Sequence, residues 1–495
     1  MTLPMIIQGG MGVAISNWRL AKAVSQQGQL GVVSGTGMSR ILVARLMEGD
    51  KEGHVRRALA HFPNQDAIER ILNTYYVEGG KDPDAPYLNV PAYSLKPTKA
   101  LDILTIVANY LEVFLAKEGH NGVVGVNLLE KVQMPNLASL YGAMLAGVDY
   151  VLMGAGIPMQ VAGVLDKLAN HESVNYRVDV TGATAEDDYR IYLHPEELFP
   201  GITEKVGTLK RPAFLPIISS LVLAQALIKR SEGPIQGFVI EGHIAGGHNA
   251  PPRGTVTYNE LGEPIYTSKD SVDLDKMKAL GLPFWLAGGF GHPEQLRTAL
   301  EKGAAGIQVG TAFAYCAESG MAPRNKQAVL DKVLAEDIVV RTNAVASPTG
   351  FPFKVVDLED TMSEQEVYEV RNRICDMGFL RTIYKRPDGK IGYRCASEPV
   401  DDFVRKGGTA EDTEGRVCLC NALGAAAGHP QIRKDGYVEK TIVTSGNDLV
   451  NLKAVMKDGT THYTAQDVIQ YLLREVAAVQ PQTAQPQYEY SNLQA

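Results

Sequence analysis

The chain has 495 residues, beyond the roughly 250–300 at which a single hydrophobic core stops growing, so one large domain with an addition is the first expectation. Hydrophobic residues make up 45% and charged residues 21%, which is globular composition and excludes a fibre or a disordered chain. A net charge of −8 argues against nucleic acid as the main partner.

The longest apolar run, "AFLPIISSLVLAQALI", is broken by Pro216, Ser219, Ser220 and Gln225, so it is too short and too polar to span a bilayer. A strand pattern begins almost at the first residue and leaves no room for a signal peptide. Five cysteines, an odd number, fit a reducing compartment better than a disulfide framework. The expected location is the cytoplasm, with no membrane partner.

Short β-rich runs alternate with helical stretches as far as about residue 340, the pattern of parallel strands joined by crossover helices. Eight such runs occur: "MIIQGG", "LGVVSG", "GVVGVN", "DYVLMG", "AFLPIIS", "GFVIEG", "FWLAGG" and "GIQVGT". Eight βα units in uninterrupted order predict a closed TIM (β/α)8 barrel rather than a doubly wound open sheet. Helix signals fit, with Ser16 as the expected N-cap of "NWRLAKAVSQQ", and Pro293 and Gly303 at the start and stop of "HPEQLRTALEKG". In the latter, Leu296, Ala299 and Leu300 share one face.

Insertions interrupt the spacing at about 50–115 and 172–211, the second with the hairpin-like "YRVDVTGATAEDDYRIYLHP". The barrel is expected over residues 1–355 and a separate C-terminal subdomain over 356–476. Residues 477–495 lack an apolar face and read as a disordered tail. Cys375, Cys395, Cys418 and Cys420 all fall in the C-terminal part, where four thiols are either ordinary buried side chains or a zinc or iron–sulfur ligand set. No standard "CxxC" pair occurs, and no metal site is assigned.

In such a barrel the active site lies at the C-terminal strand ends, and the loops after strands seven and eight commonly bind phosphate. "LAGGFGHPEQL" supplies Gly288, Gly289 and Gly291 before a helix, and "IQVGTAF" supplies Gly310 and Thr311. Such glycines let backbone N–H groups approach an anion. The chain has neither a "GxGxxG" after the first strand nor a "GxxxxGK[ST]", which argues against a dinucleotide fold or a nucleoside triphosphatase. After strand six, "VIEGHIAGGHNAPPRG" places His248 beyond Gly246 and Gly247, at the same mouth, where an imidazole suits proton transfer. His243, two residues past Glu241, is expected on that residue's face, in a structural hydrogen bond.

The set "PMIIQGGMG", "GVN", "AGGH", "AGG", "QVGTAF" and "ASPTGFPFK" resembles the nitronate monooxygenase (2-nitropropane dioxygenase) family over roughly residues 1–355. That family is related to flavin-dependent enoyl-acyl-carrier-protein reductases. The resemblance implies an FMN-dependent oxidoreductase that oxidises nitroalkanes or alkyl nitronates with oxygen. It implies flavin contacts at Gly10 and Met11 after strand one, Asn127 in strand three, and Glu241 and Gly246 from strand six. Gly288, Gly289, Gln308, Val309, Gly310 and Thr311 would hold the ring edge or phosphate, and His248 takes the place of the catalytic histidine. Glu241 stands where many monooxygenases have Gln and the reductase branch often has Glu, and Ile244 replaces a common acidic residue. A flavin-dependent enoyl-thioester reductase using NAD(P)H is therefore the main rival.

Two further classes differ in chemistry. A phosphate-ligand lyase or isomerase would need a Schiff-base Lys or a metal cluster at the strand ends, and neither is found. A catalytically silent flavin-binding partner of a larger assembly would account for the insertions. The implied partners are small molecules, with oxygen or NAD(P)H as co-substrate, and a second copy of the chain in a homo-oligomer.

Overall fold

The computed structural model describes residues 3–457 and 459–476, so the tail expected over 477–495 lies outside the described residues. All eight expected runs are strands: β1 (Ile6–Gln8), β2 (Leu30–Ser34), β3 (Val124–Leu129), β4 (Tyr150–Gly154), β5 (Ala213–Ile218), β6 (Phe238–Glu241), β7 (Phe284–Ala287) and β8 (Gly306–Val309). Each pairs in parallel with its neighbours, and β1 closes on β8 with Ile6 opposite Ile307. The protein is a TIM barrel.

Strand residues are buried on both faces, which is why they read as continuous apolar runs. The interior is packed by Ile7, Leu30, Val32, Tyr150, Leu152, Leu215, Val239 and Trp285, and the Trp285 indole donates to the Pro4 carbonyl at 2.8 Å. The bottom is thus plugged, leaving the C-terminal strand ends as the open end.

Seven ring helices lie in the connections: α1 (Trp18–Gln26), α2 (Lys99–Lys117), α3 (Asn136–Leu145), α4 (Val161–Ala169), α5 (Leu221–Arg230), α6 (Leu274–Lys278) and α7 (Pro293–Glu301). The N-cap of α1 is Asn17, not Ser16: the Asn17 side chain accepts from the Leu20 amide. Ser16 is turned inward, where its hydroxyl accepts from the Met11 amide and donates to the Gly9 carbonyl. On α7, Leu296 and Ala299 are fully buried, as the sequence pattern requires.

Of the expected insertion at 50–115, residues 99–117 form α2 itself, which packs on α1 and α3. The added material is two short helices, His54–Leu59 and Gln65–Tyr75, and an irregular stretch up to α2. The second insertion forms the antiparallel hairpin Val174–Arg177 and Arg190–Leu193. Its Thr181 pairs beside Ile383 and Lys385 of another hairpin in the C-terminal part.

The last ring helix, α8 (Ala465–Leu473), follows β8 by some 150 residues yet fills the gap between α7 and α1. Residues 310–464 are therefore a long excursion between the last strand and its helix. The core crosses the expected boundary at residue 355, since Val443, Leu449, Leu452, Val468 and Leu472 belong to the same apolar cluster as Leu20 and Leu296. Among the described residues no helix is long and apolar enough to cross a membrane.

Because Leu472 is fully buried where the ring closes, Leu472→Ala should destabilise the protein by about 2–5 kcal/mol. Denaturant unfolding followed by tryptophan fluorescence and by circular dichroism should shift to the same lower midpoint, since Trp285 reports the barrel interior. A shift in one signal alone would show that α8 is not part of the barrel's cooperative unit.

Candidate functional site

At the mouth of the barrel the strand ends surround a cavity lined by all the residues expected to contact flavin and by His248: Gly10, Met11, Asn127, Glu241, Gly246, His248, Gly288, Gly289, Gln308, Val309, Gly310 and Thr311. Gly10 sits against the Asn127 side chain so closely that a Cβ would lie 2.2 Å from the Asn127 Cβ. Only glycine lets the chain leave β1 across β3 in this way. Gly247 adopts φ +80°, a turn conformation that an L side chain resists, and this bend carries the chain from Gly246 to His248.

The imidazole of His248 is anchored on two sides. Its Nε2 is 2.7 Å from the Ser347 hydroxyl, which is itself 2.8 Å from the Thr349 hydroxyl. The Phe353 ring meets it edge-on with centroids 4.9 Å apart. Burial, reinforced by the Lys131 ammonium, pushes the imidazole down to about 4, so it is neutral at physiological pH. Nδ1 has no hydrogen bond among the described residues and remains the nitrogen open to a ligand.

Glu241 behaves oppositely. Burial alone raises its carboxyl to about 7, and no hydrogen bond reaches it among the described residues. It borders both the main cavity and a second one that shares Ala155, Ile217 and His248 and continues past His243, Arg253, Tyr266 and Asp270. His243 does not make the expected hydrogen bond among the described residues. Its ring lies flat on Tyr266, with centroids 4.2 Å apart and planes 10° from parallel. Arg253 is spent on backbone, donating to the carbonyls of Lys269 at 2.6 Å and Ser219 at 2.5 Å.

Among the described residues three buried side-chain oxygens at the cavity, Gln308 Oε1, Thr36 Oγ1 and Ser445 Oγ, have no hydrogen-bond partner. Buried polar atoms are normally paired, so these three mark where a bound molecule would dock. Met11, Leu129, Ile217, Phe290, Met321 and Phe353 give the same cavity apolar walls. A flat, mostly apolar ring system with a polar edge matches this lining.

The sequence did not signal the roof. Phe379, Leu419, Cys420 and residues 443–446 with Asp448 also line the cavity, all from the region read as a separate subdomain. The Gly247 amide donates to the Thr444 hydroxyl at 2.8 Å, the Asn447 amide to the Ile244 carbonyl at 3.1 Å, and the Gly446 amide to the Thr311 hydroxyl at 3.0 Å. The only local signal was "TSGND", which reads as an ordinary turn.

Three further cysteines of the C-terminal part lie near Cys420. Cys375 lies beside Cys395 and within electrostatic reach of Cys418 and Cys420, and all are free thiols. Among the described residues no three His, Cys, Asp or Glu side chains are arranged to hold a metal ion.

Residues 205–350 match the family model described as nitronate monooxygenase. No curated protein matches the sequence. Among solved structures, the chain aligns with FabK from Thermotoga maritima at a TM-score of 0.44 and 16% identity, covering 96% of this chain and 94% of that one. It aligns with the nitroalkane oxidase from Streptomyces ansochromogenes at 0.43 and 15%, covering 96% of each chain. The enoyl reductase domain of MlnA from the macrolactin biosynthesis cluster of Bacillus amyloliquefaciens aligns at 0.46 and 11%, covering 96% of this chain and 97% of that one.

The two shifted groups give opposite pH dependences. Glu241 binds its proton more tightly folded than unfolded, so stability is lost as pH rises from about 4.5 through about 7. His248 binds its proton less tightly folded, so stability is lost as pH falls from 6.5 towards about 4. Glu241→Gln should therefore match wild type at pH 4 and exceed it at pH 8 by up to ~3 kcal/mol. Urea denaturation at the two pH values checks this, and an equal effect at both would show that Glu241 does not titrate as assigned.

Proposed function

We propose that the chain is an FMN-dependent oxidoreductase that oxidises nitroalkanes or alkyl nitronates with oxygen, a reading supported by the match of residues 205–350 to the nitronate monooxygenase family model. The observation that carries this reading is the convergence of twelve residues, chosen from five separate strand ends, on one cavity with unpaired buried oxygens.

Gly10, Met11 and Asn127 would support the flavin ring from one side, and Gln308, with its unpartnered Oε1, would accept a hydrogen bond from the ring edge. Gly246, Gly288, Gly289, Val309, Gly310 and Thr311 border the rest of the site. The bound flavin supplies the electron acceptor. The protein's part is proton transfer and the exclusion of water.

For His248 to act as base, its Nε2 carries the ring proton and donates to the Ser347 hydroxyl, which leaves the Nδ1 lone pair open. That arrangement receives the carbon-bound proton of a nitroalkane: the C–H bond breaks, its electron pair forms the C=N bond of the nitronate, and the proton passes to the imidazole. Phe353 keeps the ring in place. The C-terminal roof shields the cavity from water, which strengthens each polar interaction inside it.

One observation favours a second reading. Glu241 is buried at this site with a proton held until about pH 7, so it can donate the proton that saturation of an enoyl thioester requires. Under anaerobic conditions, rapid flavin bleaching by NAD(P)H would select this reductase over the monooxygenase.

The purified protein should be yellow and release FMN rather than FAD on heating, because the loops after β7 and β8 suit one phosphate and no dinucleotide fingerprint is present. A colourless protein that cannot be reconstituted with FMN would refute the assignment. His248→Asn should keep flavin binding yet lower turnover of a neutral nitroalkane by about 10²–10⁴-fold, the usual worth of a positioned base. A preformed nitronate, already deprotonated, should lose far less. Equal losses on both substrates would take the role of base away from His248.

A further inference from the structure

The loops after β7 and β8 converge on a single point, and that point is filled by the protein itself. Burial raises the Asp448 carboxyl above its usual range, and the Thr311 hydroxyl and the Gly291 amide pull against that rise. A Cβ on Gly291 would lie 2.9 Å from one Asp448 oxygen, and a Cβ on Gly446 would lie 2.6 Å from the other. Gly446 is pinned in turn, since the same Cβ would meet the Ile244 carbonyl and the Thr311 hydroxyl at 2.9 Å. Carboxylates and phosphates use the same donors, backbone N–H and hydroxyl groups converging on oxyanion oxygens.

We propose that Asp448 is a specificity-determining residue of the cofactor site: its carboxylate holds the phosphate position, so a flavin phosphate seats there only by displacing it. This rests on the flavin reading given above. The charge balance supports it. Among the described residues no lysine or arginine pairs with Asp448, whose carboxyl burial holds above its usual range. A subsite without a cation has nothing to neutralise a carboxylate and a phosphate together, and like charges brought together at low dielectric repel strongly.

Displacement must also move the segment that bears Asp448. Residues 444–448 are tied to the loops after β6 and β8 by the bonds from Gly247 to Thr444, from Asn447 to Ile244 and from Gly446 to Thr311. The phosphate and the strap therefore compete for Thr311. Riboflavin, which has the same ring and no phosphate, escapes the competition.

The test compares FMN and riboflavin binding to flavin-free full-length protein by quenching of flavin fluorescence, with inorganic phosphate binding followed by calorimetry. Asp448→Asn and Asp448→Ala should tighten FMN binding about tenfold or more, the scale set by removing one like charge from a buried contact. Riboflavin affinity should stay unchanged and serves as the check that the cavity is intact. Asp448→Glu, which keeps the charge, should bind FMN no better than wild type. Parallel changes for FMN and riboflavin, or weaker FMN binding in Asp448→Asn, would overturn the proposal. If neither flavin binds any form of the protein, the flavin reading fails, and the phosphate titration still decides: a gain in phosphate affinity in Asp448→Asn upholds Asp448 as the occupant of an anion subsite, and no gain removes it.

Discussion

The turn after β6 is held by two distant pieces of chain at once. Gly247 donates its amide to the Thr444 hydroxyl and accepts at its carbonyl from the Lys354 amide. A left-handed bend at a barrel mouth would otherwise leave both backbone groups to water, and the residues on either side of it depend on where this bend points. His248 follows it directly, Glu241 precedes it, and the second cavity opens beside it. The hairpin strands Val340–Asn343 and Phe353–Val356 add a β-bridge from Phe353 to His248, so the imidazole is positioned by backbone pairing as well as by Ser347. Lys354 lies buried within that hairpin, its ammonium 2.5 Å from the Thr342 hydroxyl and lowered by burial to about 8.

The barrel and the lower half of the cavity were legible in the sequence because their signals are local. A buried strand announces itself in five apolar residues, and a strand end that must admit a ligand announces itself in glycines within two or three positions of it. Gly10, Gly288, Gly289 and Gly310 all follow that rule. The upper half was illegible because its meaning lies in pairs far apart in sequence: His248 with Ser347 at a separation of 99, Thr311 with Gly446 at 135, Gly247 with Thr444 at 197. No periodicity within 356–476 tells that Thr444 or Asp448 reaches the barrel. The assignment of Ser16 as a helix cap failed for a related reason, since its hydroxyl has a better use inside, between Met11 and Gly9.

His243 misses its expected hydrogen bond, and Arg253 nearby is likewise engaged by its own neighbours. Both are polar residues in a stretch that borders the site, and both satisfy themselves at once, one on the face of Tyr266 and the other on two backbone carbonyls. Among the described residues, the polar groups at the cavity without a hydrogen-bond partner include the Nδ1 of His248, the Glu241 carboxyl and the Gln308 oxygen.

The position of α8 bears on how the protein is made. Synthesis runs from the N-terminus, and domains fold as units while the chain emerges. All eight strands exist once residue 309 has left the ribosome, but the helix that seals β8 and α1 is not complete until residue 473. During that interval the faces of α1 and α7 that α8 will cover stay bare, and the strand ends that floor the cavity have no roof. A nascent chain in this state is open to a chaperone on its flank and to a ligand from above, and both openings close together when the last helix docks.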